Sequence, residues 1–570
     1  MNQKLENILN VSLDATEDEL RKADSLSTGY NWRDNTWEII VKYSGSLESI
    51  RNRYNVYIKE LLNYYAIIVA DKATIELISQ EDVIDYVEKP KSLYYQIERT
   101  KTAACVGSVR ADGNILSGKG VIVGVIDTGI DIFDNAFRNS DGTTRILNIY
   151  DQTTGEKYDK QSIDEYIRLN EDLSGGTFSY DNAPGVDNIM HGTDVSYIAA
   201  GSLGVAYEAD IIAVKMGYSI NNQFPRTTSL MDAIDYIIRK AIEYRKPVAV
   251  NISYGCNYGA HNGNTLLESF IDDISKSYRC VICVGSGNEA DKAIHFGGII
   301  NTGQVQTAYL SVGEYQSAID IQIWKNYWDT IDVMLINPRG EQIGIITEGR
   351  INRYETYNTE IITLLGEPSP YNIYQEIYIN LIPKTDYILS GIWQIVLMAG
   401  SIRAGEYNIW LPSSQALGYA TAFNNPTADG TITIPATARN CIAVGAYNAY
   451  TNSYAAFSGR GFDNSIRNVN AGVKPDITAP GVDISIARQR GNDITYRNVT
   501  GTSYAVPVVT GAAALLMQWG IVMGNDRFMY GEKLKAALID GSKPVGLVGI
   551  TRNDNQPDPR TGWGAVCLKN

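Results

Sequence analysis

Gly501-Thr502-Ser503-Tyr504-Ala505-Val506-Pro507, continuing into the small-residue apolar run Val508 to Met517, decides the reading of this chain. The run predicts a tightly packed helix, which puts Ser503 at a helix N-terminus. There the helix dipole and the unpaired backbone N–H groups favour negative charge, as the tetrahedral intermediate of acyl transfer requires. Serine is also a preferred helix cap, so Ser503 gains meaning only from partners elsewhere. Val121-Ile122-Val123-Gly124-Val125-Ile126-Asp127-Thr128-Gly129 predicts a buried strand ending in an acid and a turn glycine. Asp127 then lies at the C-terminal edge of an open α/β sheet, where ligands and chemistry gather. His191-Gly192-Thr193-Asp194-Val195 runs into Ser196 to Gly201, whose small and apolar spacing predicts a buried helix opened by His191. Of the three histidines, His191, His261 and His295, only His191 stands in such a frame, which makes it the candidate general base.

Asp127, His191 and Ser503 occur in the order found in subtilisin, and the chain resembles the subtilisin-like serine proteases (subtilases) well beyond those three residues. Gly204-Val205-Ala206-Tyr207 is similar to the family's Gly-Val-Ala-Pro segment. Val250-Asn251-Ile252-Ser253-Tyr254-Gly255 resembles the strand that receives substrate backbone, and Val284-Gly285-Ser286-Gly287-Asn288-Glu289 the stretch with the oxyanion asparagine. Val473 to Gly481 resembles the segment shortly before the serine. The resemblance implies an α/β fold with a subtilisin-like parallel-sheet catalytic domain. It implies that Ser503 attacks the scissile carbonyl, His191 takes and returns the proton, Asp127 orients the imidazole, and Asn288 completes the oxyanion hole with the Ser503 N–H. Ser253, Tyr254, Gly255, Gly285, Ser286 and Gly287 are expected to bind substrate. Mostly small and without a charge partner, they suit an uncharged residue at the cleaved position. Many subtilases carry a second histidine where this chain has Asp194. An aspartate is ionised at neutral pH and does not replace the base, so Asp194 is expected to be a first-turn helix acid and no more.

At 570 residues the chain is too long for one core. Lysine and arginine total 49 against 64 acidic residues, a net charge of −15 that disfavours nucleic acid and an anionic membrane as partners. The glycine-rich pieces lack the Gly-Lys-Ser/Thr end of a phosphate loop. The apolar stretches read as too short for a membrane span. Met1 to Asn7 leads into a charged stretch rather than a signal-peptide core, so classical secretion is not expected. Six cysteines fit reduced thiols in an intracellular compartment. Cys280-Val281-Ile282-Cys283 lies in a strand run without a nearby histidine or second pair, so no metal or redox site is expected. No cofactor is expected; many subtilases bind calcium, and although no acidic loop here has an EF-hand-like ligand spacing, a structural calcium ion stays open.

Residues 1–96 precede the first catalytic strand. Strand-like runs at Asp34 to Tyr43 and Tyr64 to Ala70 and a helix-like Thr74 to Gln80 give an α+β unit resembling a subtilase prodomain. Such a unit is an intramolecular chaperone and inhibitor whose tail lies in the cleft; a separate regulatory domain is the alternative. The tail is expected to be cut at Tyr95, Gln96 or Ile97. Residues 97–298 and 421–570 form the catalytic domain. Residues 299–420 carry short alternating runs, among them Thr307 to Val312, Ala318 to Trp324 and Glu406 to Leu411, the pattern of an inserted antiparallel β-sandwich, jelly-roll-like. Rigidifying and substrate-docking roles for this insert both stand. The combination resembles the Csp germination proteases of spore-forming clostridia. It implies limited proteolysis of a protein substrate, the zymogen of a cortex hydrolase, and a spore-associated (cortex or coat) or cytoplasmic location. The competing readings are a catalytically silent scaffold or sensor on the same fold and an intracellular general protease.

Overall fold

The computed structural model describes residues 2–92, 94–95, 110–111, 114–171, 183–217, 224–346, 349–462, 473–490, 493–546 and 557–568. A nine-stranded sheet organises the largest part of the chain. Seven strands run parallel in the spatial order Ile146–Asp151, Asp210–Lys215, Ile122–Asp127, Val248–Ile252, Cys280–Gly285, Ile442–Asn448 and Ile477–Pro480. Lys157–Asp159 and Ser453–Tyr454 add antiparallel at the flanks. These strands are apolar runs because helices cover both faces of the sheet. Val123 and Val125 join the core beneath the helices His191–Ala200 and Thr502–Met517, while Ile122 and Ile126 face the helices Thr227–Tyr244 and Leu266–Ser277. Gly124 lets the long helix approach: a Cβ there would lie 2.8 Å from Ile237 Cγ2.

The first parallel strand, Ile122–Asp127, lies between the third and the fourth in chain order. The direction of winding reverses at that point, which opens a crevice at the C-terminal ends of the strands and places Asp127 at its edge. Thr502–Met517 runs beneath the sheet with every residue except Leu516 buried. With its continuation to Val522 it is the one helix among the described residues apolar and long enough, over 21 residues, to cross a membrane by length and composition. This exceeds the length expected of the apolar stretches from sequence. The helix owes its apolarity to the core, since 72% of its most apolar window is buried inside the protein.

The N-terminal unit is an α+β layer. Thr36–Tyr43 pairs antiparallel with Tyr65–Ala70 on one side and with Ile84–Glu88 and Tyr30–Asn31 on the other, and Tyr57–Glu60 closes the edge beyond Tyr65–Ala70. Ile40, Tyr65, Ile67 and Tyr86 pack on the helices Thr227–Tyr244 and Leu266–Ser277, with the Tyr65 and Phe270 rings edge to face at 5.2 Å. Ile39, Val41 and Ile68 point the other way, into a second core.

The insert is an antiparallel sandwich. One sheet has the order His295–Ile299, Glu406–Trp410, Ile319–Asn326, Tyr374–Pro383, Thr359–Leu365, Ile351–Glu355. The other has the order Gln342–Ile343, Ile331–Ile336, Gly391–Ala399, Val305–Val312, Ala422–Phe423. Alternating residues such as Ile321, Ile323, Ile377, Ile379, Ile395 and Leu397 fill the space between the sheets. The sandwich begins at His295 and ends at Phe423, slightly outside the 299–420 expected from sequence. The polar-looking start His295-Phe296-Gly297-Gly298 is a paired strand, which its glycines concealed.

Candidate active site

Asp127 ends its strand with the carboxylate turned back on its own loop, where the Thr128 N–H donates to Oδ1 at 2.8 Å. The same oxygen lies 2.6 Å from Nδ1 of His191. The aspartate is 1% and the histidine 2% exposed, so the pair sits where charge and hydrogen bonds act with little screening. His191 can come this close because Gly192 follows it: a Cβ at 192 would stand 2.3 Å from the Gly129 carbonyl oxygen and 2.9 Å from Asp127 Cβ.

The segment around His191 is fixed by a residue that the sequence reading missed. Buried Asp187 accepts from Thr128 Oγ1 and the Met190 N–H with one carboxylate oxygen, and from the Thr193 N–H and Oγ1 with the other, at 2.7 to 2.8 Å. It ties the Asp127 loop to the first turn of the His191 helix. Asp187 stands outside the N-cap position, which Met190 occupies, so no local helix-start signal marks it.

Ser503 is in the first turn of its helix, as expected, and fully buried. Gly501 supplies the turn into that helix at φ 147°. Tyr504, one residue on, packs its ring 5.3 Å from the imidazole of His191, which brings the two helix starts together. The Tyr504 phenol is pushed above its ordinary pKa, chiefly by burial, and stays neutral.

Asn288 completes the constellation. Its Oδ1 accepts from both the N–H and the hydroxyl of Thr502, at 3.0 and 3.1 Å. Because the Thr502 N–H only donates, this contact fixes which end of the amide faces it, leaving Nδ2 buried and without a partner among the described residues. An unpaired buried donor is costly unless something arrives to accept from it. It sits beside the helix start that carries Ser503, as an oxyanion hole requires. Gly287, at φ +95°, passes under Thr433 with no room for a side chain.

Ser253, Tyr254 and Gly255 follow the strand Val248–Ile252 and lie beside the start of the Ser503 helix. Ser253 Oγ donates to the Ser503 carbonyl at 3.3 Å and is itself held by Asn251 Nδ2 at 3.0 Å. Gly285 ends the strand that leads to Asn288, and buried Ser286 donates its N–H to the Val444 carbonyl at 2.9 Å. Tyr254–Gly255 pairs antiparallel with Tyr94–Tyr95, Tyr254 opposite Tyr95 and Gly255 opposite Tyr94. The end of the N-terminal unit thus adds a strand at the cleft. Just upstream, Lys91 and Thr227 exchange backbone and side-chain hydrogen bonds at 2.7 and 2.8 Å. Gln96 and Ile97 lie outside the described residues.

Asp194 corrects the sequence reading. It does sit in the first turn of the His191 helix, but it is fully buried and paired with both Arg488 and Arg497. The arginines come from a hairpin almost 300 residues away in sequence, which no local pattern connects to it. The described cysteines Cys256, Cys280, Cys283, Cys441 and Cys567 are free and buried. Burial pushes the thiols of Cys280 and Cys283 up to about 12, which leaves them protonated and poor ligands. Among the described residues no group of three or more metal-ligating side chains is assembled.

A buried carboxylate on an imidazole, a serine at a helix start and an amide donor without a partner among the described residues lie together on a subtilisin-like sheet, an arrangement that suits acyl transfer. The subtilase family model matches residues 118–368 and 404–564, so the chain belongs to the subtilase family of serine proteases. A Csp protease B prodomain model matches residues 3–91. The solved CspB protease of Clostridium perfringens is 34% identical with a TM-score of 0.71, over 79% of this chain and 92% of that one. Among curated proteins, the subtilase-type proteinase RRT12 of Saccharomyces cerevisiae is 33% identical over 22% of this chain and 23% of its own length. Subtilisin-like protease 10 of Arthroderma otae is 34% identical over 21% and 27%. The chain spans about a quarter of the length of these two curated relatives.

Proposed function

We propose that the protein is a serine endopeptidase that cleaves its own prodomain and then acts by limited proteolysis. The observation that carries this is Asn288 Nδ2, buried and without a partner among the described residues, beside the start of the Ser503 helix in a cleft that already takes a strand of this chain. In the mechanism, Ser503 Oγ attacks the scissile carbonyl and His191 accepts its proton, later passing it to the leaving amine. Asp127 holds the imidazole tautomer through Nδ1, and Asn288 Nδ2 with the Ser503 N–H stabilises the oxyanion. Neither a metal nor a cofactor enters these steps.

The strand that Tyr94–Tyr95 adds to Tyr254–Gly255 ends beside Ser253, the residue that touches the Ser503 carbonyl, which supports a cut in the region Tyr95 to Ile97, after Gln96 on this reading. An uncharged glutamine agrees with the small, uncharged lining of Gly285 to Gly287. By resemblance to the Csp germination proteases, the substrate is the zymogen of a cortex hydrolase, activated at spore germination, and the protein is spore-associated. The prodomain remains at the cleft as an inhibitor.

Intact-mass analysis of the wild-type chain beside Ser503→Ala tests the reading. A wild-type chain split after Gln96 and a whole mutant support it. Two whole chains would instead favour the silent scaffold, for which the tail strand at the cleft is a permanent plug. Incubation of the processed protein with a cortex hydrolase zymogen tests the finer assignment, which fails if the zymogen stays uncut while the prodomain junction is cleaved.

A further inference from the structure

On the reading above, His191 and Ser503 work together although they start two helices more than 300 residues apart in the chain. The strands Ile484–Arg490 and Asp493–Val499 form an antiparallel hairpin that leads through Thr500 and Gly501 directly into the Ser503 helix. Two of its side chains reach across to the other helix. Arg488 Nε donates to Asp194 Oδ1 at 2.9 Å; its Nη2 donates to the same oxygen and to the Met190 carbonyl, the latter at 2.8 Å. Arg497 Nη2 pairs with Asp194 Oδ2 and donates to the Met190 carbonyl at 3.3 Å. Both partners flank His191: Met190 immediately precedes it, and Asp194 lies one helical turn on.

The backbone here needs holding. Met190 has φ 67°, in the left-handed region that side-chain-bearing residues seldom occupy and keep only when their surroundings over-determine them. Its carbonyl takes two guanidinium donors, and its N–H goes to Asp187. An ionised carboxylate accepts on both oxygens and suits two guanidinium groups at once, whereas an imidazole offers at most one acceptor. An aspartate at 194 and arginines at 488 and 497 therefore make one chemical unit.

We propose that Asp194, Arg488 and Arg497 form a positioning clamp that sets the imidazole of His191 against Ser503, by tying the turn before the histidine to the hairpin that delivers the serine. None of the three needs to touch substrate. The clamp acts through His191, so its loss falls on turnover rather than on binding. Misplacement of a reacting group by about 1 Å can cost on the order of 10²-fold in rate.

The test uses the full-length protein. Asp194→Asn keeps the shape and removes the charge. Arg497→Gln removes only the more exposed arm, so it serves if the first variant does not fold, and Arg497→Lys is the conservative control. For each, kcat and KM are measured on a chromogenic peptide ending in Tyr-Tyr-Gln, together with the rate at which a fluorophosphonate labels Ser503. Asp194→Asn and Arg497→Gln are expected to lower kcat and the labelling rate by about tenfold or more with KM within about twofold, and Arg497→Lys to recover most of the loss. Folded variants whose kcat and labelling stay within about twofold of the parent overturn the clamp, as does a rise in KM at constant kcat. A parent that neither processes itself nor takes the label, like Ser503→Ala, overturns the endopeptidase reading beneath it.

Discussion

Raising the pH from about 4.5 towards 7 should loosen the junction between prodomain and insert, and Glu376→Gln should remove part of that sensitivity. Glu376 lies on the Tyr374–Pro383 strand, fully buried, and accepts from Gln322 Nε2 at 2.5 Å. Burial, followed by the neighbouring charge of Glu6 from the prodomain, raises its carboxyl from the ordinary 4.5 to about 7. Glu6 is raised as well, chiefly by burial, against the opposing pull of Lys91. An unfolded Glu376 releases its proton near 4.5 and the folded one near 7, so within that window the folded protein holds more protons. Stability from this group is therefore full below about 4.5 and declines as pH rises towards 7. The separation from 4.5 to about 7 corresponds to roughly 3.5 kcal/mol, at about 1.4 kcal/mol per pH unit, of which a small part is already lost below pH 5. Urea unfolding of Ser503→Ala, which cannot digest itself, is compared with Ser503→Ala/Glu376→Gln at pH 5, 6, 7 and 8. The parent should lose stability along the series, and the double variant should lose less, by up to about 3 kcal/mol over the range. Parallel slopes would refute the reasoning, because they would mean that Glu376 is not held protonated by its surroundings.

Asn288→Leu should leave the fold intact and lower kcat by about 10²–10³, the loss known for an oxyanion-hole donor in subtilisin; a fall in kcat below tenfold would speak against the donor role. Asp127→Asn should cost on the order of 10⁴ in turnover by spoiling the imidazole tautomer, read as the labelling rate of Ser503. Gly192→Ala should abolish activity or folding, because its Cβ would stand 2.3 Å from the Gly129 oxygen; normal processing by this variant would contradict the packing. Leu364→Ala, emptying a site in the core shared by insert and prodomain, should destabilise by about 2–5 kcal/mol, measured as a lower midpoint of unfolding.

The candidate site residues Asp127, His191 and Ser503 stand out in the sequence because each sits at the end of a regular element. The run Val121 to Ile126 can only be a buried strand, and the small residues of Val508 to Met517 only a closely packed helix. Their ends then fall at one edge of the sheet. Asp187 escapes a sequence reading because the hydrogen bonds it makes to backbone and threonines leave no periodicity. Asp194 was misread for a different reason. The first-turn position that suggested a dipole role is real, but the energetics of a fully buried acid are set by what lies across from it, and Arg488 and Arg497 are remote in sequence. The edge of the insert at His295 was blurred by Gly297 and Gly298, which weaken any strand pattern while still pairing with Asn408 and Tyr407. The length of the Ser503 helix was underrated because Gln518 to Val522 continues it past Met517 with a changed winding.

The same geometry bears on what the insert does. Along Thr359–Leu365, Ile361 points into the sandwich while Ile362 and Leu364 point out of it, and along Tyr374–Pro383 Ile377, Ile379 and Leu381 alternate with Tyr378 and Ile382. An outer face of that kind would be a liability if left in water. Here it completes the core of the prodomain, joining Ile39, Val41 and Ile68, and Arg353 reinforces the contact with Asp14 and Glu19, each at 2.9 Å. The prodomain therefore rests on two supports, the helices Thr227–Tyr244 and Leu266–Ser277 on one side and the insert on the other. Cutting the chain after Gln96 would break neither. A cut at the tail changes connectivity without removing buried area, so the prodomain would leave only if something acted on these two faces, and the carboxylates of Glu6 and Glu376 are placed where such an action would be felt.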